Sequence, residues 1–295
     1  MSKQLNILYL GNKLQGAGLN PSTIDSLGDK FEDFAIVYRA SHFHNTILRM
    51  LHMWWVIILK ARTVDILIID TYSTKAFHYA WSSARIARLF RLKYLPFLHG
   101  GDLPIRFDKT FKLSKRFLTN ASAIVSPSNY LKTETESRFE ADVQVISNFL
   151  EIGLYDFIER NQLITIDLLW VRSFHEIYNP QLAIKIVSEL VQKGFSNVSL
   201  HMVGPDKDGS MVICKEMAKD LNISKNVVFT GRMAKVDWLS LSEKSNIFIN
   251  TTNADNTPVS VMEAMALGLP VITTNVGGIP FLFENGKQGI QVEPN

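Results

Sequence analysis

The chain has 295 residues, of which 46% are hydrophobic, so it is long and apolar enough to bury two cores of ordinary size. Its net charge of +3, from 31 basic and 28 acidic residues, is too small to indicate a nucleic-acid-binding protein. A single cysteine, Cys214, excludes an intrachain disulfide and a zinc site made of several cysteines. The first residues, Met-Ser-Lys-Gln, lead straight into an apolar run without a signal-peptide pattern, so we expect a cytoplasmic protein.

Short apolar runs alternate with helical stretches in two series along the chain. Alternation of this kind is typical of parallel sheets covered by helices on both faces. We therefore predict an α/β protein with two Rossmann-like, doubly wound domains at residues 1–148 and 165–295, joined by a linker at 149–164. Such sheets bind ligands beyond the carboxyl ends of their strands, so the domains are expected to face across a shared cleft. The predicted strands are residues 7–10, 35–38, 66–69, 94–98 and 123–125, then 166–171, 198–203, 227–229, 247–250 and 271–273.

Residues 47–59 form a strongly apolar stretch interrupted by Arg49 and His52 and followed by Lys60. A membrane span needs about 20 apolar residues, so this run is too short to cross a bilayer. Its narrow polar stripe favours a core helix packed on the sheet. Its basic residues and paired tryptophans also suit a helix lying on an anionic membrane surface, which leaves peripheral membrane contact through 47–59 as the alternative.

Glycines follow the first predicted strand. Gly16 and Gly18 lie in a loop where the backbone can approach a ligand closely. The spacing does not continue to a third glycine, so it does not indicate a dinucleotide-binding dehydrogenase. Glycine content alone favours a flexible strand-to-helix turn equally well.

His99 follows the strand at 94–98 and precedes two glycines, Gly100 and Gly101. A polar residue at a strand end is well placed to contact a ligand. A lone histidine is also common as a structural residue. Asp102 either orients His99 or caps the following segment.

Further polar residues end strands of the second series. Arg172 follows the strand at 166–171 and is a bidentate cation suited to a diphosphate. Arg232 follows the strand at 227–229 and is either a ligand contact or a surface charge. Asp206 and Asp208 have the Asp-x-Asp spacing of a metal site, but flanking Gly-Pro and Asp-Gly pairs indicate a turn, so we predict no metal site there.

Two carboxylates, Asp255 and Glu263, frame the start of an apolar helix. Pro258 suits the first helical turn and Gly268 suits the helix end. The amides of residues 257–260 then point out of the helix, where the aligned peptide dipoles favour an anion such as a diphosphate. The alternative is an ordinary amphipathic helix in which Asp255 is a turn residue.

This segment, which continues EAMALGLPVI from Glu263, resembles the acidic-x7-acidic motif of retaining, nucleotide-sugar-dependent glycosyltransferases of family four (glycosyl transferases group 1), which have the GT-B fold. The resemblance implies transfer of a sugar from a UDP or GDP donor to a glycan or lipid-linked acceptor, with retention of configuration and without a metal or another cofactor. It implies that His99, Arg172 and Asp255 are catalytic-site residues and that Glu263 holds the ribose. The other donor-binding residues that it implies are Gly16, Gly18, Arg232, Asn256, Thr257, Pro258 and Val259.

The sequence departs from the family pattern in three places. Asp255 stands where a glutamate is usual, and Ile177 stands where a second phosphate-binding lysine is usual. The chain stops at Asn295, where similar proteins continue with a further helix pair, and we expect such a chain to be less stable and less active than a longer one. Two alternatives therefore stay open: an inactive nucleotide-sugar-binding relative and a nucleotide-sugar epimerase of the same fold.

Overall fold

The computed structural model describes residues 4–13, 22–160 and 165–294. The chain forms two compact units, Met1–Ser147 and Asn148–Asn295, and each unit contains a six-stranded parallel sheet. All ten predicted strands are present, with ends that differ by a few residues. Two further strands, Val143–Val145 and Gly289–Val292, were not predicted. The prediction of an α/β protein with two Rossmann-like units is confirmed.

The first sheet has the strand order β2-β1-β3-β4-β5-β6. Side chains of β1 alternate between two cores: Leu8 and Leu10 are buried on one face, and Ile7 and Tyr9 on the other. Helices therefore cover both faces of this sheet. The strands are β1 Leu5–Leu10, β2 Ala35–Ala40, β3 Ile66–Tyr72, β4 Lys93–His99, β5 Ile124–Ser126 and β6 Val143–Val145, and the helices are α1 Thr23–Glu32, α2 Thr46–Lys60, α3 Phe77–Leu89, α4 Leu103–Lys109, α5 Phe111–Leu118 and α6 Asn129–Glu136.

Helix α2 contains the apolar stretch 47–59. It begins at Asn45, whose side chain accepts hydrogen bonds from the amides of Ile47 at 2.9 Å and Leu48 at 3.2 Å. Met53 and Ile57 are fully buried, as the core-helix prediction requires. The opposite face is an exposed apolar stripe made of Ile47, Leu48, Leu51, Trp55, Ile58 and Leu59.

No helix in residues 4–13, 22–160 and 165–294 has the length and apolarity needed to span a bilayer.

The second sheet has the order β12-β11-β10-β7-β8-β9. Leu168 and Trp170 of β7 point into one core, and Leu169 points into the other, so this sheet is also covered on both faces. Its strands are β7 Asp167–Val171, β8 Ser199–Val203, β9 Val227–Gly231, β10 Ile247–Asn250, β11 Val271–Thr274 and β12 Gly289–Val292, and its helices are α7 Pro180–Gln192, α8 Ser210–Asp220, α9 Lys235–Glu243 and α10 Val259–Ala266.

The segment 149–164, predicted as a linker, belongs to the second unit over its described residues 149–160. Tyr155 is buried in the core that contains α10. The Arg160 guanidinium donates to the carbonyls of Leu267 at 2.7 Å and Ser245 at 3.0 Å. This stretch is therefore fastened to the ends of α9 and α10.

Candidate functional site

The first backbone amides of helix α10 do not take part in its intrahelical hydrogen bonds. Pro258 is the residue before the helix, with φ −66°, and its carbonyl accepts from the amide of Val261 at 3.1 Å. The amides of Val259 and Ser260 precede that first intrahelical bond. Together with the helix dipole they form an anion-binding end. The structure thus places the predicted helix start where the sequence placed it.

Asp255 lies in the loop before this helix and pairs with Arg172. The ion pair joins Arg172 Nη2 to Asp255 Oδ2, and both side chains are largely buried, at 15% and 14% exposure. The other oxygen, Asp255 Oδ1, accepts from the amide of Asn256 at 2.8 Å. Gly277 backs the loop: its φ is +57°, and a Cβ atom there would lie 2.0 Å from the Asp255 carbonyl oxygen. Only glycine permits this approach.

Arg172 is held at the end of β7 by the neighbouring strand β8. The Arg172 amide donates to Val203 O at 2.9 Å, and a Cβ atom on Gly204 would lie 1.7 Å from the carbonyl oxygen of Arg172. The guanidinium carbon lies 4.9 Å from the centre of the Tyr178 ring. The Nε atom is buried and has no hydrogen-bond partner among the described residues. A guanidinium with a free buried donor is suited to a phosphate.

The residues between the two carboxylates are mostly buried. Asn256, Thr257 and Pro258 are buried, whereas Val259 is 40% exposed. Asn148 donates to the Thr257 carbonyl at 3.3 Å. The Asn148 hydrogen bond therefore holds this loop in place, and the loop presents backbone groups at the start of α10.

Glu263 lies one turn into α10 and is held by two residues that the sequence did not indicate. Tyr155 donates its hydroxyl to Glu263 Oε1 at 2.8 Å, and Lys235 Nζ lies 3.2 Å from the same oxygen. Burial raises the pKa of Tyr155, so the phenol stays protonated and remains a donor. Burial lowers the pKa of Lys235, but its hydrogen bond with Tyr155 and the charge of Glu263 outweigh burial, and the net shift is upward. Glu263 is thus a carboxylate anchored on one oxygen.

Ile177, which stands where the family pattern usually has a lysine, has a structural role. It lies in the short 3-10 helix Glu176–Tyr178. Its carbonyl accepts from the amide of Asn253 at 2.8 Å and from Thr252 Oγ1 at 3.1 Å. This backbone contact fastens the loop after β10 to the end of β7.

Arg232 is exposed on the loop between β9 and α9, two positions before the residue that precedes α9. Gly16 and Gly18, the other predicted donor contacts, lie outside the described residues.

In the first unit, His99 ends β4 and is oriented by Asp70, not by Asp102. His99 Nε2 lies 2.9 Å from Asp70 Oδ1, and the imidazole stacks on Tyr72 with ring centres 5.0 Å apart. Asp70 is fully buried and also accepts from Tyr9 OH at 3.0 Å. Asp102 precedes α4 without a side-chain capping bond.

Asp206 and Asp208 are turn residues. Asp206 accepts from the amide of Gly209 at 2.9 Å, and Asp208 accepts from the amide of Glu176 at 2.7 Å. In the part of the chain that the structure describes, no group of three or more histidine, cysteine or acidic side chains is arranged to hold a metal ion.

This arrangement can bind a phosphorylated ligand with hydroxyl groups. Arg172 and the amides at the start of α10 supply positive charge, and the carboxylates of Asp255 and Glu263 can accept from hydroxyls. These groups lie at the carboxyl edge of the second sheet, in the loop after β10 or in the first turns of α10, which is the side on which open parallel sheets bind ligands.

The chain is similar in sequence and in fold to several known proteins. Residues 159–295 match the family model described as glycosyl transferases group 1. The chain is 24% identical over 215 residues to N-acetyl-alpha-D-glucosaminyl L-malate synthase of Bacillus anthracis, which covers 69% of this chain and 55% of that protein. It is 23% identical over 218 residues to the putative teichuronic acid biosynthesis glycosyltransferase TuaC of Bacillus subtilis strain 168, which covers 72% of this chain and 54% of that protein.

The chain thus spans about half the length of these curated relatives. The fold is similar to that of Anabaena HepE, solved in complex with UDP and glucose, with a TM-score of 0.72 at 18% identity over 99% of this chain and 86% of that one.

Proposed function

We propose that this chain, whose residues 159–295 match the family model of the glycosyl transferases group 1, moves a sugar from a nucleoside-diphosphate donor to a hydroxyl group of a glycan or lipid-linked acceptor. The observation that supports this most directly is the start of α10, where the free amides of Val259 and Ser260 lie between Asp255, which pairs with Arg172, and Glu263 in the first turns of the helix. That combination suits a diphosphate attached to a ribose and a sugar.

Each group of the site receives a role in this proposal. Arg172 and the amides at the start of α10 bind the diphosphate, with Asn256, Thr257, Pro258 and Val259 shaping the loop around it. Glu263 accepts from the ribose hydroxyls. The ion pair of Asp255 with Arg172 opens or shifts so that Asp255 reaches the transferred sugar. Arg232 lies toward the nucleobase, and Gly16 and Gly18 let the backbone approach the phosphates.

His99 makes a further contact with the transferred sugar. Because the Asp70 carboxylate accepts from Nε2–H, the imidazole Nδ1 is the free acceptor in the neutral ring. An acceptor in that position suits a sugar hydroxyl.

The chemistry rests on a fixed positive field. Negative charge grows on the leaving diphosphate as the sugar departs, and Arg172 with the helix amides stabilises it. We propose that the transfer needs no metal. We also propose retention of configuration by front-side displacement, in which the leaving phosphate helps to accept the proton from the acceptor hydroxyl.

The comparisons support a UDP donor over a GDP donor, because HepE, which shares the fold, was solved in complex with UDP and glucose. The names of TuaC and of the Bacillus anthracis synthase support a role in making a polysaccharide or a small glycoside. We propose that the protein acts in the cytoplasm at the inner face of the membrane, with the exposed apolar stripe of α2 as its membrane contact.

A thermal-shift panel with UDP, GDP and ADP tests donor binding, since a ligand at 100 times its dissociation constant stabilises a protein by about 2.7 kcal/mol. A shift with UDP, followed by transfer of labelled sugar from the matching nucleotide sugar, is the expected result. No shift with any nucleotide contradicts the proposal. Release of the nucleotide with a changed sugar and no acceptor product indicates an epimerase.

A further inference from the structure

A cleft of about 420 Å³ lies in the first unit between α3 and α5. Trp81, Arg85 and Arg88 line it from α3, where positions i, i+4 and i+7 share one helix face. Arg116 and Phe117 line it from α5, and Tyr94 of β4 lies at its base. Three guanidinium groups therefore share one concave surface.

The cleft is far from the residues predicted to contact the sugar. Tyr94 is the second residue of β4, and His99 is its last. At about 3.3 Å per residue, the five steps between them separate the cleft from His99 by roughly 16 Å along the strand. The cleft thus lies toward the amino end of the strand and is a separate site.

The arginines of the cleft have no acidic partners. Arg85, Arg88 and Arg116 are exposed, and none of them forms an ion pair or a side-chain hydrogen bond with another described residue. No lining residue is acidic. The surrounding segment, residues 75–120, contains ten basic residues and two acidic ones, although the whole chain carries only +3. Like charges gathered in this way repel one another unless an anion joins them.

The base of the cleft is rigid and apolar. The rings of Tyr94 and Phe117 are stacked with centres 6.0 Å apart and planes 5° apart, and the Tyr94 hydroxyl donates to the Phe117 carbonyl at 2.6 Å. Trp81 is half-buried beside them. An apolar base lowers the local dielectric, so an ion pair formed above it is stronger than one formed in open solvent.

We propose that this cleft binds a phosphate group, with Arg85, Arg88 and Arg116 as its ligands. Guanidinium groups match phosphate oxygens in planar, bidentate geometry, and three of them can contact one phosphate from different sides. The volume admits a phosphate together with a small organic group, such as a glycerol. The phosphate belongs either to a soluble phosphomonoester or to an anionic lipid headgroup, and α3 packs beside α2, whose exposed stripe is apolar.

The test compares the wild-type chain with the triple variant Arg85→Gln, Arg88→Gln, Arg116→Gln. The matched control is Lys193→Gln, Lys219→Gln, Lys225→Gln, which removes the same number of charges from exposed positions of the second unit. Calorimetric titration with inorganic phosphate and with glycerol 3-phosphate measures the soluble arm. Co-sedimentation with phosphatidylglycerol vesicles, against phosphatidylcholine vesicles, measures the lipid arm. Circular dichroism and UDP titration verify that each variant is folded.

We expect the arginine variant to bind the successful probe about tenfold more weakly or worse, because each lost guanidinium removes charge-assisted hydrogen bonds, and the lysine variant to bind as the wild type does. Binding to vesicles alone assigns the phosphate to a lipid, and binding to both soluble probes assigns it to a free ester. Equal losses in the two triple variants would mean that only net charge matters, and the proposal fails. It also fails if the wild type binds neither soluble phosphate nor anionic vesicles. A single variant, Arg88→Gln, is expected to show a smaller loss of the same kind.

Discussion

Asp70 Oδ1 lies 2.9 Å from His99 Nε2, and the carboxylate that makes this contact is fully buried. The same oxygen accepts from the Tyr9 hydroxyl, and burial raises the pKa of Tyr9 so that its proton stays in place. Asp70 therefore fixes both the ring orientation of His99 and its tautomer, with the proton on Nε2.

We expect Asp70→Asn to lower the transfer rate while leaving nucleotide binding by the second unit unchanged. Asparagine can offer an amide proton to the imidazole and so no longer dictates the tautomer. Losing a charge-assisted hydrogen bond costs about 1.5–3 kcal/mol, or roughly tenfold or more in kcat. Asp102→Asn is the matched control, because Asp102 precedes α4 without a capping bond. Equal rates for wild type and Asp70→Asn, in a variant of normal Tm, would remove Asp70 from the site.

Glu263→Ala should raise the donor KM. The substitution removes the proposed ribose acceptor and leaves Tyr155 and Lys235 without their shared carboxylate. A charged acceptor contributes about 1.5–3 kcal/mol, so we expect a roughly tenfold to hundredfold rise. Steady-state kinetics with varied donor measures it, and Glu284→Ala, on an exposed acid, is the control. An unchanged donor KM contradicts the ribose assignment.

Arg172→Lys should lower turnover although the charge is kept. Lysine is a point charge and cannot replace a planar fork whose Nη2 pairs with Asp255 and whose Nε is a free donor. We expect kcat to fall by roughly tenfold or more, measured at saturating donor. Arg138→Lys is the control, since Arg138 pairs with Asp108 in the first unit. If both variants have wild-type rates, Arg172 does not contact the leaving group.

Transfer activity should persist in excess chelator. The positive field at the leaving diphosphate is assigned to Arg172 and the amides at the start of α10, and the carboxylates of Asp206 and Asp208 are occupied by backbone amides. The measurement is the rate with and without EDTA, with product standards added to verify detection. Loss of activity that magnesium or manganese restores contradicts the metal-independent proposal.

The sequence was sufficient for the parts of the molecule that follow from local pattern. Strand Ile66–Tyr72 begins with a continuous apolar run, and α10 has Pro258 directly before its first residue and Gly268 just after its last turn, as expected. Asp70 was missed because it directly follows an apolar run, and the local sequence does not show that His99 lies on the adjacent strand. Tyr155 was missed for the same reason, since it meets Glu263 across 108 positions.

The short strands were missed on other grounds. Val143–Val145 has three residues and Gly289–Val292 has four, and Val143 is the one buried residue of the two strands. They therefore lack the apolar run that marked the predicted strands. They are strands because a neighbouring edge offers hydrogen bonds, which is a property of the assembled sheet.

The second unit should lose stability as the pH falls below about 6.5, the ordinary pKa of histidine. Burial lowers the pKa of His201 on β8; the charge of Asp167 raises it and the charge of Lys244 lowers it, and the net shift is downward. The Nδ1 atom of His201 has no hydrogen-bond partner among the described residues. The folded state thus binds this proton less readily than the unfolded state, so the stability present above pH 6.5 is lost as the pH falls toward the lowered value.

Thermal unfolding at pH 7.5 and pH 5.5 measures the effect. This pH range lies above the one in which the carboxylates of Asp108 and Asp208, whose pKa values are lowered, take up protons. His52, whose pKa is lowered by burial, contributes the same trend in the first unit, so His52→Gln serves as the comparison. We expect His201→Gln to reduce the difference in Tm between the two pH values, and an undiminished difference in that variant would show that His201 is not the group responsible.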